Sequence, residues 1–205
     1  MSEIKDKILT ESEALFMRYG FKSITMDDVS RELGVSKKTV YQFFADKNDL
    51  VNQCIDHHLE EMRSITEGIM ADKEVDAVTV MLKITEYMRA MLEHINPSSM
   101  FDLKKYFKPA WDKLEAERKG YIKKSVEENF AHGVKAGLYR KELDASMIAR
   151  LYIHLVGFLI DPDKYDNKEM DIRNVHLEIV KYHLRSICTP KGQELLDVKL
   201  KQLKK

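Results

Sequence analysis

A short segment near the N-terminus, GVSKKTVYQFF at residues 34–44, brings basic, hydroxyl and amide side chains close together. The amines of Lys37 and Lys38 suit phosphate oxygens or the O6/N7 edge of guanine, and the amide of Gln42 suits the N6/N7 edge of adenine. Hydroxyl groups that can donate to phosphate oxygens come from this segment and its N-terminal flank: Thr25, Ser36, Thr39 and Tyr41. These residue types predict contacts with DNA.

Two short helices joined by a tight turn would position these groups. Thr25 and Ser36 are placed to cap the two helices, because their hydroxyls can accept hydrogen bonds from the first helical turn. Gly34 lies in the turn, where a positive φ is expected. The apolar side chains predicted to face inward are Val29, Leu33, Val35, Val40 and Phe43, with Phe44 packed against the next helix. The pattern predicts a helix-turn-helix over residues 25–44.

Two other interpretations of this segment stay open. An ordinary corner between two helices would have the same spacing, with lysines that are only solvated. A helical adaptor without DNA binding or ligand sensing would use the segment to bind a protein partner. The polar, basic outward face favours DNA over the adaptor, because a groove for a partner helix is apolar.

The remaining composition excludes several classes of protein. Lys plus Arg and Asp plus Glu both number 34, so the chain is neither a general nucleic-acid coat nor a polybasic membrane binder. The strongest apolar run, about residues 147–160, is shorter than the ~20 residues of a membrane-spanning helix. The N-terminus lacks an export signal, so we expect a cytoplasmic protein with no membrane partner. Cys54 and Cys188 are expected to be reduced core thiols.

Enzymatic activity finds little support in the sequence. The histidines show no HExxH spacing, and neither a glycine-rich phosphate loop nor a nucleophile motif is present. We therefore expect no enzyme, no metal site and no cofactor. His176 and His183 are seven residues apart and are interpreted as surface or interface histidines rather than as metal ligands.

Helical periodicity extends over almost the whole chain and predicts an all-α fold of about nine helices. Beyond residue 70 the predicted helices are long and amphipathic. They include one from about 74 to 95, one from Trp111 to Gly137, one from about 145 to 160, and a last one from about 167 to 187.

The stretch ITMDDVSRELGVSKKTVYQFFADKNDLVNQCI resembles the N-terminal domain of the TetR family of transcriptional repressors. The resemblance spans about residues 3–65, and two positions depart from the family pattern. Ser30 stands where alanine is usual, and Lys38 stands where glycine is frequent. The matching features are Thr25, Gly34-Val35-Ser36, Thr39, Tyr41, Phe44, Lys47 and Leu50.

The resemblance implies a helix-turn-helix DNA-binding domain at residues 1–47 and a helical effector-binding and dimerisation domain at 48–205. It implies phosphate contacts from Thr25, Tyr41 and Lys47. The side chains expected nearest the bases are Lys37, Lys38, Thr39 and Gln42, and Ser36 completes the expected DNA-binding set. Lys38 is where we expect this protein's own operator preference.

A single recognition helix reads only a few base pairs, so a homodimer is expected to supply the second half-site. The helices at about 145–160 and 167–187 are the expected interface, as a four-helix bundle about a two-fold axis; intramolecular core is the alternative. The resemblance also implies an unknown small apolar or amphipathic effector that releases the operator. Ordinary core packing is the alternative role of the candidate ligand-binding residues, which are Met88, Met91, Tyr106, Phe107, Trp111 and Phe130.

Overall fold

The computed structural model describes residues 2–93, 95–161 and 171–202. Within them every regular element is a helix, so the predicted all-α class is confirmed. These residues form eleven α-helices rather than about nine. The helices are α1 Ser2–Tyr19, α2 Met26–Glu32, α3 Lys37–Tyr41, α4 Lys47–Ala71, α5 Ala77–Leu92, α6 Pro97–Tyr106, α7 Lys108–Glu117, α8 Lys123–Lys135, α9 Ala145–Ile160, α10 Ile172–Ile187 and α11 Pro190–Gln202.

Beyond residue 107 the observed helices differ from the predicted ones in two places. The helix predicted to run to Gly137 is divided, because a π-helical turn at Arg118–Ile122 separates α7 from α8. The start of the helix predicted at 167–187 lies outside the described residues, and α10 begins after the cap Asp171. Helix α11 was not predicted; the Thr189 hydroxyl accepts from the Gly192 amide (3.2 Å) at its start.

The described residues pack into two compact units. The N-terminal unit contains residues 2–63, 95–117 and 161, and the C-terminal unit contains 64–93, 118–160 and 171–202. This division by contacts differs from the predicted functional boundary between residues 47 and 48, because α6 and α7 pack with the first helices. The functional boundary stays a prediction.

In the N-terminal unit, α6 satisfies backbone groups at the end of α1. The last carbonyls of a helix lack intrahelical partners. The Ser99 hydroxyl donates to the carbonyl oxygens of Phe16 and Met17 (3.1 and 2.9 Å), and the Asn96 amide N–H donates to Met17 (2.7 Å). Phe16 also stacks on Phe21, with ring centroids 5.2 Å apart. These contacts make α6 part of the same core as the first three helices.

Ion pairs join α7 to α4 in the same unit. The Arg63 guanidinium donates two hydrogen bonds to the buried carboxylate of Glu117. A second ion pair joins Lys113, one turn before Glu117 on α7, to Asp56, two turns before Arg63 on α4 (2.5 Å). A bidentate pair restricts orientation as well as distance, so α7 fixes the direction of α4 as it leaves the helix-turn-helix.

The C-terminal unit has a separate core, built from α5, α8, α9, α10 and α11. A side chain at Gly133 would overlap the ring of Tyr139, which stacks on Phe130 with centroids 5.9 Å apart. His176 and His183 are buried on α10, so their interpretation as surface or interface histidines was wrong. They lie in this core because Val180 and Leu184 on the same face draw α10 inward.

None of the helices in the described ranges is both long enough and apolar enough to cross a membrane.

Candidate DNA-binding surface

Local hydrogen bonds hold the turn between α2 and α3. Thr25 and Asp28 form a capping box, in which the Asp28 amide donates to the Thr25 hydroxyl (3.2 Å) and the Thr25 amide donates to the Asp28 carboxylate (2.9 Å). Gly34 has a φ of +63°, which confirms the predicted positive φ. The Val35 amide then donates to the Ser30 carbonyl (3.0 Å) and closes the turn.

Helix α3 begins after Ser36, whose hydroxyl accepts from the Thr39 amide (3.1 Å). Val40 is fully buried, as predicted. The prediction that Phe43 faces inward was wrong, because Phe43 is only half-buried and Phe44 is the fully buried ring. α3 ends at Tyr41, and the chain then bends toward α4, which carries the second ring rather than the first into the core.

The outward side of α3 is polar. Ser36, Lys37, Lys38 and Gln42 are exposed, and Tyr41 has 51% of its surface accessible. Thr39 is half-buried, and its hydroxyl lies 2.8 Å from that of Ser36. The structure therefore brings seven of the eight predicted DNA-binding residues to one region, the two capped helix starts and the outward face of α3.

The lysines of this surface differ in their partners. Lys37 pairs with Asp27 (2.5 Å), and both side chains are more than half exposed. Within the described part of the chain Lys38 has no ion-pair partner. The Lys38 charge is thus available to DNA without the loss of an existing contact.

Lys47, the eighth residue, is half-buried at the start of α4. Its ammonium donates to the Lys22 carbonyl (3.1 Å) and lies 5.5 Å from the centre of the Phe107 ring. Burial lowers the pKa of Lys47, and the carboxylates of Asp102 and Asp28 oppose that shift. Lys47 thus ties the loop before α2 to the start of α4.

The six predicted ligand-binding residues fall in different units. Phe107 and Trp111 are buried in the N-terminal unit, where Tyr106 is exposed. Phe130 is buried in the core of the C-terminal unit, and Met88 and Met91 are half-buried on α5 of that unit.

A cavity of about 600 Å³ lies in the C-terminal unit, between the end of α4, α5, the π-helical turn and α8. None of the six predicted ligand-binding residues lines it. It was not predicted from the sequence, because its lining mixes polar and apolar side chains and comes from four separate segments. The lining residues are Glu67, Met70, Ala71, Asp72, Lys73, Val80, Tyr121, Lys124, Ser125, Glu128, Asn129 and His132.

One face of α9 is apolar and exposed. Its residues follow helical spacing, and their accessible fractions are 56% for Met147, 55% for Leu151, 39% for Leu155 and 42% for Phe158. On α10, Tyr182 is 69% exposed. A contiguous apolar face of this kind marks a surface for another molecule.

The sequence is similar to those of known transcriptional regulators. The family model for bacterial regulatory proteins of the tetR family matches residues 8–54. The uncharacterized HTH-type transcriptional regulator YvaF of Bacillus subtilis (strain 168) is 25% identical over 159 residues, which cover 77% of this chain and 81% of that protein.

Solved structures share the fold over most of the chain. A transcriptional regulator from Cytophaga hutchinsonii ATCC 33406 aligns with a TM-score of 0.72 at 17% identity, covering 92% of this chain and 100% of that one. A TetR-family transcriptional regulator from Agrobacterium tumefaciens aligns with a TM-score of 0.72 at 15% identity, covering 92% and 98%.

Proposed function

We propose that this chain, which belongs to the TetR family of bacterial transcriptional regulators and binds DNA, is a cytoplasmic repressor that a small molecule releases from its operator. The two faces of α3 carry the proposal, because Val40 is fully buried while the lysines, Tyr41 and Gln42 are exposed. The family is not enzymatic, and we propose no catalytic role.

In this proposal α3 enters the major groove. Gln42 and Lys38 read base edges, and Lys37 exchanges its ion pair with Asp27 for a contact with DNA. That exchange costs little, because exposed ion pairs contribute only about 0–1 kcal/mol. The remaining contacts come from Thr39 near the bases and from Thr25, Ser36, Tyr41 and Lys47 at phosphates.

The exposed face of α9 supports a homodimer, formed by α9 and α10 of each subunit as a four-helix bundle. A two-fold axis gives each subunit the same contacts, so one self-complementary apolar face is sufficient. The dimer would place two recognition helices about one turn of DNA, ~34–36 Å, apart.

The cavity of the C-terminal unit supports an amphipathic effector. Its wall combines the apolar side chains of Met70 and Val80 with charged groups such as Glu67 and Lys124. Glu67 and Met70 belong to α4, the helix that begins directly after the helix-turn-helix. A ligand there acts on α4, and a coupling of ~1–3 kcal/mol would change DNA affinity about 5- to 150-fold. The six residues named from the sequence stay the alternative site.

DNA binding is tested by selecting duplexes from a random library with the purified protein and measuring affinity by fluorescence polarisation. Gln42→Ala should relax selectivity at one base pair, at a cost of about 1–3 kcal/mol. Lys37→Ala should weaken all sequences and reduce the salt dependence. Lys135→Ala, an exposed lysine on α8, is the control. If no duplex is enriched, or if the α3 variants bind like wild type, the proposal is wrong.

Effector binding is tested by screening amphipathic compounds for a shift in melting temperature and for release of the selected duplex. Ser125→Trp should fill the cavity and abolish both responses without weakening DNA binding. A compound that stabilises the protein but leaves DNA bound would contradict the coupling, and an unchanged response in Ser125→Trp would favour the alternative site.

A further inference from the structure

A second group of cationic and aromatic side chains lies on the N-terminal unit, outside the helix-turn-helix. It consists of Lys22, Phe101, Lys105 and Tyr106, and we refer to it as the lysine-aromatic cluster. The Lys22 ammonium lies 4.8 Å from the centre of the Tyr106 ring and donates to the Tyr106 hydroxyl (3.3 Å). The Lys105 ammonium lies 5.4 Å from the same ring and 5.1 Å from that of Phe101.

The positive charge of this cluster is not neutralised. Neither Lys22 nor Lys105 pairs with a carboxylate among the residues that the structure describes. Neighbouring Lys104, in contrast, pairs with Asp161 (2.6 Å). The nearby carboxylate of Asp102 is buried and accepts the backbone amide of Lys22 (2.9 Å) rather than an ammonium.

Two ammonium groups beside one phenol create a site for an anion. Their charges repel each other, and the Tyr106 hydroxyl, which accepts from Lys22, can donate its own hydrogen to an anion. Hydrogen bonding from Lys22 and the charge of both lysines lower the pKa of Tyr106, which reports the positive potential at this position. All three side chains are exposed, so the anion can belong to a large molecule.

The cluster adjoins the proposed DNA surface. The Lys22 carbonyl accepts the ammonium of Lys47, which is proposed to hold a phosphate. Lys22 also precedes the α2 cap Thr25 by only three residues. A duplex carries a phosphate at every nucleotide. If Thr25 and Lys47 hold two of these phosphates, others of the same duplex would lie close to the cluster.

We propose that Lys22, Lys105 and Tyr106 bind backbone phosphates of operator DNA beyond the base pairs read by α3. The footprint then includes α6, a helix far from the helix-turn-helix in sequence. The inference rests on the proposed function. These contacts add affinity and salt dependence but no sequence information, because phosphates are the same in every sequence.

The test compares two duplexes, one limited to the selected half-sites and one extended by flanking base pairs on both sides. Affinity is measured by polarisation over a series of salt concentrations. The double variant Lys22→Ala/Lys105→Ala should bind the extended duplex about tenfold more weakly than wild type, with a salt slope reduced by about 1.8, or ~0.9 for each lost phosphate contact. On the short duplex the two proteins should be equal.

Three matched variants separate the explanations. Lys105→Arg keeps the charge and should bind the extended duplex like wild type, and Lys135→Ala on α8 should change nothing. Lys37→Ala should weaken both duplexes, because it acts in the helix-turn-helix. Melting temperatures establish that each variant is folded.

The inference is overturned if the double variant matches wild type on the extended duplex, or if it weakens both duplexes equally. In either case sequence-selective binding by wild type would leave the proposed function standing. If wild type itself shows no sequence-selective binding, the proposed function fails and the inference fails with it.

Discussion

Acidification from pH 7 to pH 5 should destabilise the C-terminal unit through two buried histidines of α10. His176 and His183 are 3% and 5% exposed. Burial lowers the pKa of each to about 4, and the Arg89 guanidinium adds to the effect at His176. The ring of His183 packs 4.6 Å from that of Tyr152 inside the core.

The direction follows from the protonation of the two states. In the unfolded chain these histidines bind protons below their ordinary pKa of 6.5, whereas the folded chain excludes protons down to about pH 4. The contribution of the two histidines to the free energy of unfolding is therefore fully present above about pH 7 and is lost as the pH falls from 6.5 toward 4. At pH 5 the loss is about 2 kcal/mol for each histidine, or about 4 kcal/mol for both.

The carboxyl groups with lowered pKa values do not interfere in this range. Asp28, Asp49, Glu127 and Asp171 have ordinary pKa values of 3.8 to 4.5, so they stabilise the fold above that range and lose their contribution only as the pH falls below it. The range from pH 7 to pH 5 therefore isolates histidine titration.

Urea unfolding at fixed protein concentration, followed by far-UV circular dichroism at several pH values, measures the loss. The single tryptophan, Trp111, belongs to the N-terminal unit, so its emission follows that unit separately. The double variant His176→Gln/His183→Phe should remove most of the pH dependence, whereas His132→Gln, at an exposed position on α8, should leave it unchanged. A double variant whose stability falls in parallel with wild type would refute the reasoning.

Three further predictions concern other positions. Gly34→Ala should cost about 1–2 kcal/mol by backbone strain alone, because Gly34 has a positive φ and no atom lies near the added Cβ. Gly68→Ala, inside α4 with equal space around the added Cβ, should instead stabilise the protein by about 0.5–1 kcal/mol, and thermal unfolding compares the two variants. Gly157→Ala should cost about 1–3 kcal/mol by the same measurement, because the new Cβ would lie 2.6 Å from the guanidinium of buried Arg118; an unchanged melting temperature would contradict the packing described. Leu151→Glu should convert the proposed dimer to the mass of one chain, 24.0 kDa, in light scattering, and a wild-type protein that already has that mass would refute the dimer.

The helix-turn-helix was predictable because its signals are local. The caps at Thr25 and Ser36 each satisfy an amide three residues away, and Gly34 supplies a positive φ that depends on its own backbone. Helical periodicity likewise follows from contacts at spacings of three and four residues. The sequence alone therefore determined the fold class and the polar face of α3.

The tertiary structure decided which residues far apart in the chain meet. Phe43 and Phe44 are adjacent in sequence, and only the packing of α4 determines which ring is buried. The burial of His176 and His183 depends on which face of α10 turns inward. The cluster of Lys22 with Lys105 joins residues more than eighty positions apart. No local spacing encodes such contacts, because they arise from the packing of helices that periodicity describes only one at a time.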